Sequence, residues 1–161
     1  MQMQEQQVLN QMVALSGKKL EMLTELKKLS EQQRQAFQDN NIAAVEPILN
    51  KKDEIIRYVR QLDDAFLKAS GTLKEMLGIE KLDDLSKFEL AGRNEIKRLI
   101  ADITDTVESI IKIEQDSHKN VSEMKNEISN RIKSVNTGKK ATKAYNIKPF
   151  ENPSYFFDRK K

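Results

Sequence analysis

Cysteine and tryptophan are absent from the chain, and histidine occurs once. Without cysteine there is no disulfide, no thiolate metal site and no cysteine nucleophile, and the composition is compatible with a reducing compartment. His118, in Gln115-Asp-Ser-His-Lys-Asn120, has no companions with which to build a zinc site, so we expect no metal and no cofactor. No apolar run exceeds a few residues, which argues against any membrane-inserted helix. The N-terminal Met1-Gln-Met-Gln-Glu-Gln-Gln lacks a basic stretch followed by an apolar one, so we expect no secretory signal and a cytoplasmic protein. Enzymatic signals are equally scarce. There is no glycine-rich phosphate loop, and the carboxylates of Asp63-Asp64 and of Asp83-Asp84 are chain neighbours that diverge on a helix. Ser122-Glu-Met-Lys125 has the serine–lysine spacing of some acyl-transfer enzymes but no companion motif. The expectation is a protein that is not an enzyme.

What the chain does contain is charge and helix. Charged residues make up 33% and apolar ones 38%, with only five glycines and three prolines in 161 residues. That profile fits long helices sharing a narrow core. Leu9, Met12 or Val13, Leu20, Leu23, Leu26 and Phe37 recur at near three-four spacing, predicting a first helix over about 5–38. Asp39-Asn40-Asn41 reads as the turn and as the source of the next N-cap. A second helix is expected over about 42–70, with Val45, Ile48, Leu49, Ile55, Val59, Leu62 and Phe66 inward. Pro47 either kinks it or marks its first turn. Ser70-Gly71 is read as its end, and Thr72-Leu-Lys-Glu75 as a capping box opening a short helix over 73–77. Residues 79–92 form a connector, with a helical turn from Asp84 carrying Leu85 and Phe88. The third helix spans about 93–136: Ile96, Ile100, Ile103, Val107 and Ile110 keep the stripe, and Val121, Met124, Ile128 and Val135 resume it. Between them Glu114 and Ser117 fall on the seam. The fold class is therefore all-α: an elongated, antiparallel, three-helix coiled-coil-like bundle over 1–137 with an extended C-terminal tail over 138–161.

The tail is unlike the body. It holds five of the nine aromatics, namely Tyr145, Phe150, Tyr155, Phe156 and Phe157, and two of the three prolines. From Gly138 onward seven Lys/Arg face two Asp/Glu, against 21 and 23 in residues 1–137. Cations mixed with rings could stack bases, but partly offset charges on a terminal segment make a poor phosphate footprint, so nucleic acid is not the expected partner. The segment either straps the bundle or docks on a partner, where its charge would speed encounter with an acidic surface.

Three stretches carry a family resemblance: Leu26-Lys-Lys-Leu-Ser-Glu-Gln-Gln-Arg-Gln-Ala-Phe37, Asp39-Asn-Asn-Ile-Ala-Ala-Val45 and Ile48-Leu-Asn-Lys-Lys-Asp-Glu-Ile-Ile56. With Lys143-Ala-Tyr145 and Ser154-Tyr-Phe-Phe-Asp-Arg-Lys-Lys161, the chain resembles the FlgN-type flagellar export chaperones. The resemblance implies a cytosolic, non-enzymatic chaperone. It would hold the C-terminal segments of hook-associated (hook–filament junction) proteins and deliver them to the flagellar type III export gate. No catalytic residue is carried over, and Pro47 departs from the helix-friendly residue expected at its place. The chaperone of the filament cap protein is a similar small bundle and stays open as an alternative. So does a structural coiled-coil adaptor or homo-oligomerisation module.

The candidate client site follows from the third helix, whose apolar residues exceed one core face. Ile110, Ile111, Ile113, Met124, Ile128 and Ile132 are its expected members, taking an amphipathic client helix in a groove. Some of Ile111, Ile113, Met124 and Ile132 should then be exposed or covered by the tail. Tyr145, Phe150, Tyr155, Phe156 and Phe157 are the expected docking tail for the export gate.

Overall fold

Three helices account for nearly all of the computed structural model, which describes residues 2–139. α1 covers Gln2–Gln38, α2 covers Val45–Leu77 and α3 covers Arg93–Lys139. Short 3-10 turns lie at Ile42–Ala44 and Leu82–Lys87. The tail beyond Lys139 lies outside the described residues, and so do the side chains of Met124, Ile128 and Ile132.

Each helix ends for a local reason. At the end of α1, Asn40 adopts a left-handed backbone (φ 55°), and the Asn41 N–H reaches back to Ala36 O at 2.8 Å. This is a C-terminal cap of the kind that satisfies dangling carbonyls. The expected side-chain N-cap is not made: Asn41 precedes the 3-10 turn without a side-chain bond, and Ala44 stands at the N-cap of α2. Pro47 sits in the first turn of α2, where its missing N–H costs nothing. α2 then passes through Ser70-Gly71 without a break, so the expected stop and separate helix over 73–77 are replaced by one continuous helix to Leu77. Thr72 turns its hydroxyl back to Lys68 O at 3.0 Å inside that helix, instead of capping a new one. Ser70 is buried and Leu73 fully so, so packing outweighs the weak helix propensity of the Ser-Gly pair. Gly78, at φ 66°, closes the helix in the left-handed conformation that glycine adopts without steric cost.

The register of the bundle is plain from its cross-helix bonds. Gln6 to Ala91, Ser30 to Glu114 and Arg34 to Asp116 join residues 85, 84 and 82 apart. α1 and α3 therefore run parallel, offset by about twelve heptads, and α2 runs antiparallel to both. α1 is central: α2 and α3 each pack along it, while their backbones approach each other little. At one end the connector folds over the bundle, placing Leu85 and Leu90 with Leu9, Met12, Leu73 and Ile96. The Gln6 amide clamps it there, donating to Ala91 O at 2.8 Å and accepting from Ala91 N–H at 3.1 Å. Leu23, Leu26 and Ile110 form the middle core, flanked by Ile55, Val59, Ile103 and Val107. Ala36, Phe37, Val45 and Val121 close the other end.

Candidate protein-binding surface

By this register Gln38, the last residue of α1, lies level with Ser122. The remaining 17 residues of α3, 123–139, project past the α1–α2 turn by about 25 Å at ~1.5 Å per residue. Met124, Ile128, Ile132 and Val135 recur there by fours and threes, on positions that carry on the stripe of Val121. Within the bundle that stripe is covered by α1 and α2; past the turn neither helix continues.

The base of the projecting arm rests on a buried polar layer. Lys52 and Glu114, each 2% exposed, form an ion pair between α2 and α3. Lys52 Nζ also donates to Gln33 Oε1 at 2.7 Å, and Ser30 Oγ donates to Glu114 Oε1 at 2.8 Å. All three helices thus meet in one hydrogen-bonded unit, as buried charges require. One turn further on, Gln33 Nε2, Ser117 Oγ and Asn120 Nδ2 are buried without a protein partner. Buried water commonly bridges such groups. The periodicity had already placed Glu114 and Ser117 on the seam. Their partners Ser30, Gln33 and Lys52 read as ordinary helix-surface residues, and only an apolar-stripe position occupied by lysine could have pointed to the pairing.

The expected client residues divide. Ile110 and Ile113 are each 5% exposed: Ile110 packs with Leu23 and Leu26, and neither offers surface. Ile111 is 49% exposed. The reason is angular. Ile110 and Ile113 fall on the side of α3 turned to α1, whereas Ile111 shares a face with Thr104 and Glu108. The positions of Met124, Ile128 and Ile132 lie on the projecting arm. The docking residues Tyr145, Phe150, Tyr155, Phe156 and Phe157 lie outside the described residues.

Exposed apolar groups that the sequence reading did not anticipate include Leu67 on α2 and Ile100 on α3. Leu67 is 69% exposed and Ile100 39%. Between the helices lies an apolar cleft of ≈ 230 Å³ lined by Leu15, Leu62, Phe66, Ile100 and Ile103. Lys19 reaches from α1 to pair with Asp63 at 2.6 Å beside it. Among the described residues no cluster of His, Asp or Glu could hold a metal ion, and no helix is long and apolar enough to cross a membrane.

Compared with known families, residues 1–148 match the family described as FlgN protein. The chain belongs to the FlgN family. FlgN proteins are non-enzymatic flagellar export chaperones for hook-associated proteins. The match takes in the whole bundle, the projecting arm and Tyr145, and it stops before Phe150. Searches of curated proteins and of solved structures return no match.

Proposed function

We propose that this FlgN-family protein captures the C-terminal helical segments of hook-associated proteins on the projecting arm of α3 and hands them to the export gate in the cytoplasm. The observation that carries the reading is the arm itself. A helix with an apolar stripe extends ~25 Å past the last residue that either neighbouring helix can place against it. A client helix laid along Met124, Ile128 and Ile132 would complete there the three-helix packing that α1 and α2 supply below. Ile111, one face away, could extend contact toward the bundle. The tail, with Tyr145 and the later aromatics, is the proposed element that docks on the gate.

The test uses a C-terminal peptide of a hook-associated protein. Ile128→Glu and Ile132→Glu should each weaken its binding at least tenfold while the melting temperature stays within a few degrees. Unchanged affinity in both would refute the arm as the client site. Deleting residues 144–161 should preserve client binding and abolish secretion; full secretion by that variant would remove the docking role. Self-association through the arm, the adaptor reading, would show as a concentration-dependent dimer that the same two substitutions dissolve.

A further inference from the structure

We propose that the polar layer under the arm is a binding site for a single ordered water, held between α1 and α3 by Gln33, Ser117 and Asn120. The site does not depend on where the client binds. Gln33 is fully buried, and its amide can take only one orientation. Its Oε1 accepts from Lys52 Nζ at 2.7 Å; turned over, the amide would set its NH2 against the ammonium. Nε2 must therefore find an acceptor on the side away from Lys52, and no protein group supplies one. The hydroxyl of Ser117, a residue 2% exposed, is in the same position. So is the buried Nδ2 of Asn120, whose side chain is otherwise partly exposed.

The three groups are neighbours. Ser30 bonds to Glu114 and Arg34 to Asp116, so Gln33, between them on α1, stands level with Ser117. Ser117 and Asn120 are three apart on α3 and share a face, so the site spans about one helical turn, ~5.4 Å along the bundle. Just beyond it, Val121 packs with Ala36, Phe37 and Val45, which covers the layer on the side of the arm. The donors select the guest. Two amide NH2 groups donate and a hydroxyl can do either, so the guest has to accept at least two hydrogen bonds. An anion could, but Lys52 is already matched by Glu114 and Arg34 by Asp116, and a further charge would be buried without a counter-charge of its own. Water accepts from both amides, donates to Ser117 Oγ and brings no charge. The set of partners also matches the about three hydrogen bonds that a buried water makes. Bound in this way, it carries the Lys52–Gln33 bond across to α3, one turn above Glu114, and ties the base of the arm to α1.

The side-chain NH2 resonances of Gln33 and Asn120 report on the site directly in the full chain labelled with a nitrogen isotope. Both should show dipolar cross-peaks to the water signal with the sign of a bound water, while the exposed Gln32 amide should not. Ser117→Ala removes the hydroxyl proton as another source of those peaks and suits a helix, so it should fold and keep them. Ser117→Leu fills the space and should abolish them; if that variant does not fold, Ser117→Ala alone decides. Replacing fluoride by chloride or bromide at constant ionic strength should move neither resonance. Three results would overturn the proposal. No cross-peak at either amide means the groups pair with one another or stay dry. Peaks that vanish in Ser117→Ala come from the hydroxyl. Resonances that shift with the halide assign the site to an anion.

Discussion

Removing one member of the buried ion pair should damage this protein more than removing both. Lys52 and Glu114 are almost wholly excluded from water, and Glu114 accepts from Lys52 and from Ser30 together. Glu114→Gln removes the carboxylate that pairs with the buried Lys52 ammonium, and Lys52→Met removes the cation that pairs with the buried Glu114 carboxylate. Each single change should cost about 3–5 kcal/mol. For a chain of this size that lowers the melting temperature by roughly 6–20 °C. The double replacement Lys52→Met/Glu114→Met removes both desolvation penalties, which alone would be neutral or stabilising by about 1–4 kcal/mol. Against this, Gln33 Oε1 and Ser30 Oγ lose their partners, at about 1–3 kcal/mol each. The two effects nearly cancel, so the double variant should lie within about 2 kcal/mol of the parent and well above either single one. Urea denaturation followed by helical circular dichroism measures all four corners of the cycle, and an unchanged m-value would show that the unfolded reference is the same. Single changes each costing under about 1 kcal/mol, and adding in the double variant, would mean the pair is hydrated and would refute the reasoning.

The other predictions address helices and faces. Gly17 and Gly71 lie inside α1 and α2, and a Cβ added to either meets nothing within 4 Å. Gly17→Ala and Gly71→Ala should therefore each stabilise the fold by about 0.5–1 kcal/mol, read as a higher urea midpoint. Ile113→Glu should unfold the bundle or lower its midpoint sharply, because it places a charge at a position 5% exposed. Ile111→Glu should leave the helical signal intact. If Ile113→Glu is as stable as Ile111→Glu, the orientation of α3 is wrong.

Much of the architecture was legible because long amphipathic helices declare themselves by period. All three rods, the connector with Leu85 and Phe88, and the polar interruption at Glu114 and Ser117 follow from spacing alone. The failures have one physical source, the priority of packing over local signals. Ser70-Gly71 looks like a stop until Ser70, Leu73 and Ala69 are seen buried against α1 and the connector. Thr72 and Glu75 have capping-box spacing, but no helix begins there. The site was less legible. A run such as Ile110-Ile111-Lys112-Ile113 shows surplus apolar surface without showing which residue turns outward. That depends on the angle at which α3 meets α1, here fixed by a register no single helix encodes. The exposure of Leu67 and Ile100 was missed because both residues belong to apolar stretches that, by period alone, read as core or its flank.

The polar layer bears on function through that register. A coiled-coil-like stripe of leucines and isoleucines tolerates sliding by a heptad, since each knob meets an equivalent hole. Sliding α3 by seven residues in either direction would bring Val107 or Val121 to the level of Glu114, opposite Lys52. Both are valines, so either slip would bury the Lys52 cation against a methyl group, at a cost of several kcal/mol. Only one placement of α3 pairs the charge, and that placement fixes how far the arm projects; a heptad slip would change its length by about 10 Å. The Lys52→Met/Glu114→Met variant separates this role from stability. It is expected to fold, yet the charge penalty against slipping is gone, so resonances of the arm and of the Val107–Val121 stretch should multiply or broaden, and client affinity should fall. A single sharp set of resonances with parental affinity would show that apolar packing alone sets the register, leaving the ion pair as a structural contact with no bearing on the arm.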